Sequence, residues 1–142
     1  MTTKSYLSQI KRLRVIIEQK KDERRELEAN ISGLSAVAYD GEKVTTSGSK
    51  NAPFVAVVER CMALDDDIER NIVRYIELRK KIVDQIQGLQ KTEYIELLHK
   101  RYVEDKSLEL ISVEMHYSFH WIRHMHGRAL QEFEKKWGGE YK

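Results

Sequence analysis

Only one cysteine and one proline occur in 142 residues, and no apolar run approaches the roughly 18 residues needed to cross a bilayer. The lone Cys61 excludes an internal disulfide and a cysteine-based metal site, and it suits a reducing compartment. The N-terminus lacks the apolar core of a signal peptide, so a cytoplasmic location with no membrane partner is expected. A strong excess of one charge is missing too. Lys and Arg number 25 against 23 Asp and Glu, a net of +2, which by itself is too little to argue for a nucleic-acid partner. No nucleophile with a base, no metal set and no paired carboxylates are placed for a shared cleft, so neither an enzyme nor a cofactor is expected. What the chain has is charge, 34% of its residues, and almost nothing that breaks a helix. That composition predicts an all-α protein: one compact domain, or one small domain with an extended element.

From Lys4 to about Leu34 the positions Tyr6, Ile10, Leu13, Ile17, Lys20, Arg24, Leu27, Ile31 and Leu34 recur at alternating steps of four and three. The stripe is about one helix wide and predicts a long amphipathic helix seeking a helical partner. Residues 39–52 interrupt it with the Gly/Ser-rich run YDGEKVTTSGSKN, which ends at Asn51, and Pro53 follows where a helix tolerates it best, in the first turn. SGSK lacks the glycine spacing and preceding strand of a phosphate-binding loop. A second stripe runs through Val58, Cys61, Asp65, Ile68, Ile72, Tyr75, Arg79, Ile82, Ile86 and Leu89. Residues 1–90 are therefore expected to form a long antiparallel helical hairpin.

A loop symmetric about residues 44 and 45 sets Ile31 by Val58, Ile17 by Ile72 and Arg24 by Asp65. The only acid in the second stripe thus faces a base that interrupts the first. An Arg24–Asp65 ion pair is expected to fix the register. If buried, losing one partner would cost about 3–5 kcal/mol. Arg79 finds no acid by the same reckoning.

Gly88 marks the next break, and Thr92 is a plausible cap for a helix over 93–103 with Tyr94, Leu97, Leu98 and Tyr102 on its apolar side. Residues 102–133 read YVEDKSLELISVEMHYSFHWIRHMHGRALQEF. Ser107 caps a short helix through Leu108, Ile111 and Met115. After a break at His116 and Tyr117, Ser118 caps a second helix whose inward stripe is Ile122, Met125, Ala129, Leu130 and Phe133. Its other face carries Phe119, His120, Arg123, His124 and Arg128. Trp121, beside Ile122, is expected to pack on the 93–103 helix. The helix is expected to continue through Trp137 and end at Gly138 and Gly139, which leaves 138–142 as a tail that is ordered only if Trp137 docks.

This pattern resembles the last helix-turn-helix of bacterial sigma factors, region 4. There a helix ending in RY, here Arg101–Tyr102, precedes a Ser-capped scaffold helix, a small turn and a recognition helix running into R-A-L, here Arg128–Leu130. The wider likeness, including the SGSK loop and the ending HGRALQEF, is similar to small phage and prophage regulators of the RinA and ArpU kind. It implies a helix-turn-helix domain at 92–137, in a bacterial host cell, that binds double-stranded DNA and regulates transcription, with a positive effect. It places Phe119, His120, Arg123 and His124 toward base edges and Arg128 near phosphates. Ser118 doubles as cap and phosphate contact, since a helix N-terminus favours anions. Arg can bond guanine through two parallel hydrogen bonds. The chain departs from the pattern at two points: His116 stands where Gly is usual in the turn, and Ser112 where Ala is usual.

Residues 92–142 carry 8 Lys and Arg against 9 Asp and Glu, a net of −1, so DNA binding is expected to need help from a homodimer, from host RNA polymerase or from the basic N-terminal residues Lys11, Arg12, Arg14, Lys20, Lys21 and Arg25. An ordinary solvated face of a long helix is the simpler reading of those six. His120 and His124 are one turn apart, a metal-compatible spacing, but with no Cys and no HExxH pattern no metal site is expected. Two other functions keep the same fold. One is a polymerase-binding module with little DNA affinity. The other is a DNA-packaging adaptor of the small terminase type, which would form large rings.

Overall fold

The computed structural model describes residues 1–40 and 52–142, with side chains for 1–31 and 52–142. It is all-helical over these residues. In order the elements are α1 (Thr3–Leu7), α2 (Gln9–Asp40), α3 (Ala52–Gln87), α4 (Thr92–Leu98), a π-helical turn (His99–Val103), α5 (Leu108–Met115), α6 (Phe119–Trp137) and a 3-10 turn (Gly138–Glu140). Of the loop expected at 39–52, Tyr39 and Asp40 belong to α2 and Ala52 to α3; residues 41–51 lie outside the described residues. Two compact units share α2 and α3: Val15–Val73, and Met1–Arg14 with Arg74–Lys142.

The unit Val15–Val73 is an antiparallel helix pair. Its cross-helix contacts join Lys20 to Asp67 at 3.5 Å, Arg24 to Asp65 at 2.9 Å and Glu23 to Arg60 at 2.9 Å. Ile17, Cys61 and Leu64 are its buried apolar residues among those described. Leu64 is fully enclosed while Asp65 is exposed, which corrects the expected stripe. Along α3 the inward positions run through Val57, Cys61, Leu64, Ile68, Asn71, Tyr75, Leu78, Ile82 and Gln85, with Leu89 in the turn that follows, all buried or half-buried. At Asp65 and Arg79 the expected stripe falls one residue past the inward position, whereas Val58 and Ile72 are half-buried and Ile86 is fully enclosed, as expected. The shift explains Arg79, which is exposed and needs no partner. Arg24 and Asp65 do meet, but at the wet edge of the seam, with side chains 29% and 55% exposed. Asn71, a polar residue inside the seam, satisfies its amide on its own helix through the Asp67 carbonyl, 2.8 Å away.

The other unit holds a core of Tyr6, Leu7, Ile10, Ile82, Ile86, Leu97, Leu98, Ile111, Ile122, Met125, Ala129 and Phe133, with neighbours packed around it. Short α1 exists because Thr2 caps it, accepting from the Ser5 N–H at 3.1 Å, and Ser8 interrupts the long helix expected from Lys4. The tail docks. Trp137 donates its indole N–H to the Gln85 carbonyl at 2.9 Å, and Tyr141 stacks on Tyr6 at 4.2 Å. Gln85, buried in the seam, accepts from the Tyr6 hydroxyl at 2.7 Å and donates to Glu140 at 2.8 Å, so every polar group there is matched. Gly88 is a close-approach residue: a Cβ there would sit 3.0 Å from the Trp137 ring.

Two local expectations change. Thr92 is the first residue of α4 rather than its cap, and Lys91 precedes it without a side-chain cap. The helix expected over 93–103 switches at His99 to a π-helical turn, where Tyr102 and Val103 stay buried.

Candidate nucleic-acid interface

The site is built from α5, a three-residue turn and α6. Ser107 accepts from the Leu110 N–H at 3.2 Å and Ser118 from the Trp121 N–H at 3.1 Å, so each hydroxyl satisfies a donor that the first helical turn would otherwise leave open. Between them His116 takes the left-handed conformation, with φ 62° and ψ 37°. The Tyr117 N–H bonds the Ser112 carbonyl at 3.0 Å and the His116 N–H bonds that of Val113 at 3.3 Å, a Schellman termination that ordinarily favours Gly. Histidine therefore makes the same turn as Gly would, at a backbone cost. Ser112 fits where Ala is usual because its hydroxyl folds back onto the Glu109 carbonyl at 2.6 Å.

An ion network holds the segment leading into α5. Lys106 donates to both carboxylate oxygens of Glu114, at 2.6 and 2.9 Å, and lies 3.0 Å from Glu104, while Lys100 reaches Glu114 at 3.3 Å. The Lys106 ammonium holds both carboxyls below their usual range, and the hydrogen bond to Glu114 raises the Lys106 pKa in return. These charges are committed to the scaffold.

Helix α6 buries Ile122, Met125, His126, Ala129 and Phe133. Leu130, expected on the same stripe, is half-buried. Phe119, His120, Arg123, His124 and Arg128 are exposed together on the remaining face, with Ser118 at its start. At positions one, two, five, six and ten of the helix they occupy the turns that a groove-reading helix presents to bases and phosphates. The Arg123 guanidinium lies over the Phe119 ring, 5.8 Å from its centre. Trp121 does not pack on the 93–103 segment. It is 46% exposed and leans toward His124, with ring centres 5.8 Å apart, which places it on the rim of this face.

Two features had not been singled out. His126 is buried and shares a 2.8 Å hydrogen bond with the Tyr102 hydroxyl, tying α6 to the π-helical turn. Burial pushes the His126 pKa down to about 4, with Lys4 and Arg101 adding to the effect, and burial pushes Tyr102 up to about 12. The i, i+4 run of histidines at 116, 120 and 124 obscured it, because His126 is the one at an inward helical position. Gly127 sits inside α6 on the outward side, with nothing within 4 Å of where a Cβ would be. A glycine in mid-helix costs about 1 kcal/mol relative to Ala, and here the packing gives no reason for it.

Most of the basic N-terminal residues are engaged within the protein. Lys11 pairs with Asp105 at 3.2 Å, Arg14 bonds the Val103 carbonyl at 3.2 Å, Lys20 pairs with Asp67, Lys21 with Glu18, and Arg25 with Asp22. Among the described residues, no three His, Cys, Asp or Glu side chains converge as a metal site. No helix there is long and apolar enough to cross a membrane. The fold and this face define a helical chain ending in a helix-turn-helix with an exposed, partly basic and aromatic second helix. Scans of protein-family models, of curated proteins and of solved structures each return no match to the chain.

Proposed function

We propose that this protein is a sequence-specific regulator of transcription that lays α6, from Ser118 to Arg128, in the major groove of double-stranded DNA. The observation that carries this reading is the shared exposure of Phe119, His120, Arg123, His124 and Arg128 on the side of α6 away from its buried stripe. Arg123 and the two histidines offer hydrogen bonds to base edges, Arg128 offers a charge to phosphate, and the capped start of α6 favours an anion. The likeness to the RinA and ArpU regulators suggests phage or prophage genes and activation. With a net charge of −1 over residues 92–142, tight binding would draw on a second copy or on host RNA polymerase.

The test is a gel-shift assay on DNA from the gene's own neighbourhood. Arg123→Ala is expected to weaken the preferred site about 5- to 150-fold relative to random duplex, the loss of about 1–3 kcal/mol that a bidentate guanine contact supplies. Equal weak binding to every duplex, unchanged by Arg123→Ala, would sink the reading. A second reading, a polymerase-binding module with little DNA affinity, is favoured by Leu110 and Val113 on α5, 46% and 70% exposed, beside exposed Tyr117. A pull-down of polymerase subunits from nuclease-treated extract, lost in Val113→Glu but kept in Arg123→Ala, would favour that module.

A further inference from the structure

The arrangement of Arg123 against Phe119 goes further than a basic face, because it couples a guanine-binding group to an apolar one. Both side chains are exposed, one helical turn apart, with the guanidinium carbon 5.8 Å from the ring centre. Stacking on the ring restricts a side chain that would otherwise sample many rotamers, so less entropy is lost when its fork bonds a base. Phe119 lies on one side of the guanidinium, and Arg123 makes no side-chain hydrogen bond among the described residues that would occupy its fork. An Arg bonded to O6 and N7 of guanine lies in the plane of that base, and in the major groove the group next to that plane is the 5-position of the neighbouring pyrimidine. Apolar contact at that position distinguishes a methyl from a hydrogen. Gly127, one turn beyond Arg123 and without neighbours at its Cβ position, leaves the helix free to sit close to the groove.

We infer that Phe119 and Arg123 act as one reading unit for a 5-methylpyrimidine followed by guanine, either thymine–guanine or 5-methylcytosine–guanine. This rests on the DNA-binding reading above. The methyl lies on the open face of the guanidinium, the ring holds that guanidinium flat from the opposite face, and the fork bonds the guanine. Phe119 is thereby a specificity residue, although it forms no hydrogen bond to DNA.

The experiment is selection of duplexes from a random pool with the whole protein and with Phe119→Ala, followed by fluorescence titration of the enriched site. Replacing its thymine by deoxyuridine removes only the methyl and is expected to weaken the wild type about fourfold, the value of one buried methyl-sized group. Phe119→Ala is expected to bind the thymine and deoxyuridine duplexes equally while still preferring guanine. A 5-methylcytosine–guanine duplex binding as well as thymine–guanine would extend the unit to methylated DNA; its binding no better than unmethylated cytosine–guanine would overturn that arm. If the enriched site lacks the step, or deoxyuridine leaves the wild type unchanged, the inference fails while DNA binding stands. Enrichment of no sequence overturns both.

Discussion

The two compact units keep their helices together by different means. Met1–Arg14 with Arg74–Lys142 encloses Phe133, Leu97, Leu98, Ile111 and Ile122 completely, and it matches buried polar groups in pairs such as Tyr6 with Gln85 and Tyr102 with His126. Val15–Val73 has two helices and only one fully enclosed side chain among those described, Leu64, with its charged pairs on wet edges. Two helices cannot surround much, since each leaves most of its circumference in water. The lesson is that the candidate interface stands on the better-packed unit. A reading helix must hold its outward groups in place, and α6 does so through five buried inward residues.

Phe133→Ala should break the larger core most severely, with a loss of about 3–5 kcal/mol in urea titration. Leu64→Ala is expected to cost less, about 2–3 kcal/mol, because two helices can close partly over the gap. Equal losses would contradict the contrast between the units. Acid should act next, and on the same unit. His126 is held neutral by burial, so its folded pKa of about 4 lies below the usual value near 6.5. The unfolded chain then binds more protons between those values, and stability falls as pH drops from about 6.5 to about 4. Thermal melts at pH 7 and pH 5 should differ for the wild type and differ less for His126→Gln, whose amide can still bond Tyr102. An unchanged pH dependence in that variant would show the burial to be incidental.

Much of this fold could be read from short-range signals. Ser107 and Ser118 act as caps because a hydroxyl and an N–H three residues on need nothing distant. The Arg24–Asp65 contact followed from the numbering across one loop. The phase of α3 did not follow at two positions, because Cys61, Ile68, Tyr75 and Ile82 belong to both registers and only Leu64 against Asp65 and Leu78 against Arg79 separate them. The burial of Gln85 was not legible, because its partners, Tyr6, Glu140 and Trp137, come from remote parts of the chain. Trp121 was misplaced for a related reason. Its place beside Ile122 pointed inward, yet it lies half exposed beside His124.

A smaller effect should come from the turn. His116 holds a left-handed backbone that costs a side-chain-bearing residue about 1–2 kcal/mol, and Gly carries no such strain but loses more entropy on folding. His116→Gly is expected to stabilise the protein by about 0.5–1 kcal/mol in chemical denaturation, leaving Arg123-dependent binding intact. A destabilised variant would mean that the imidazole has a role beyond the turn.

The smallest effect separates stability from register in the hairpin. Arg24 and Asp65 are 2.9 Å apart, but both reach water, so solvent competes for each charge and the Arg24 side chain must be ordered to make the bond. Asp65→Ala is therefore expected to leave the melting temperature within the scatter of repeat measurements. Asp65→Arg should lower it, because two guanidinium groups would then meet across the helices, and the double exchange Arg24→Asp with Asp65→Arg should restore it. If Asp65→Ala instead fell as far as Leu64→Ala, the pair would be holding the hairpin together. Leu64 is fully enclosed in that seam, so stability is expected to rest on it and the choice of alignment on the charge beside it.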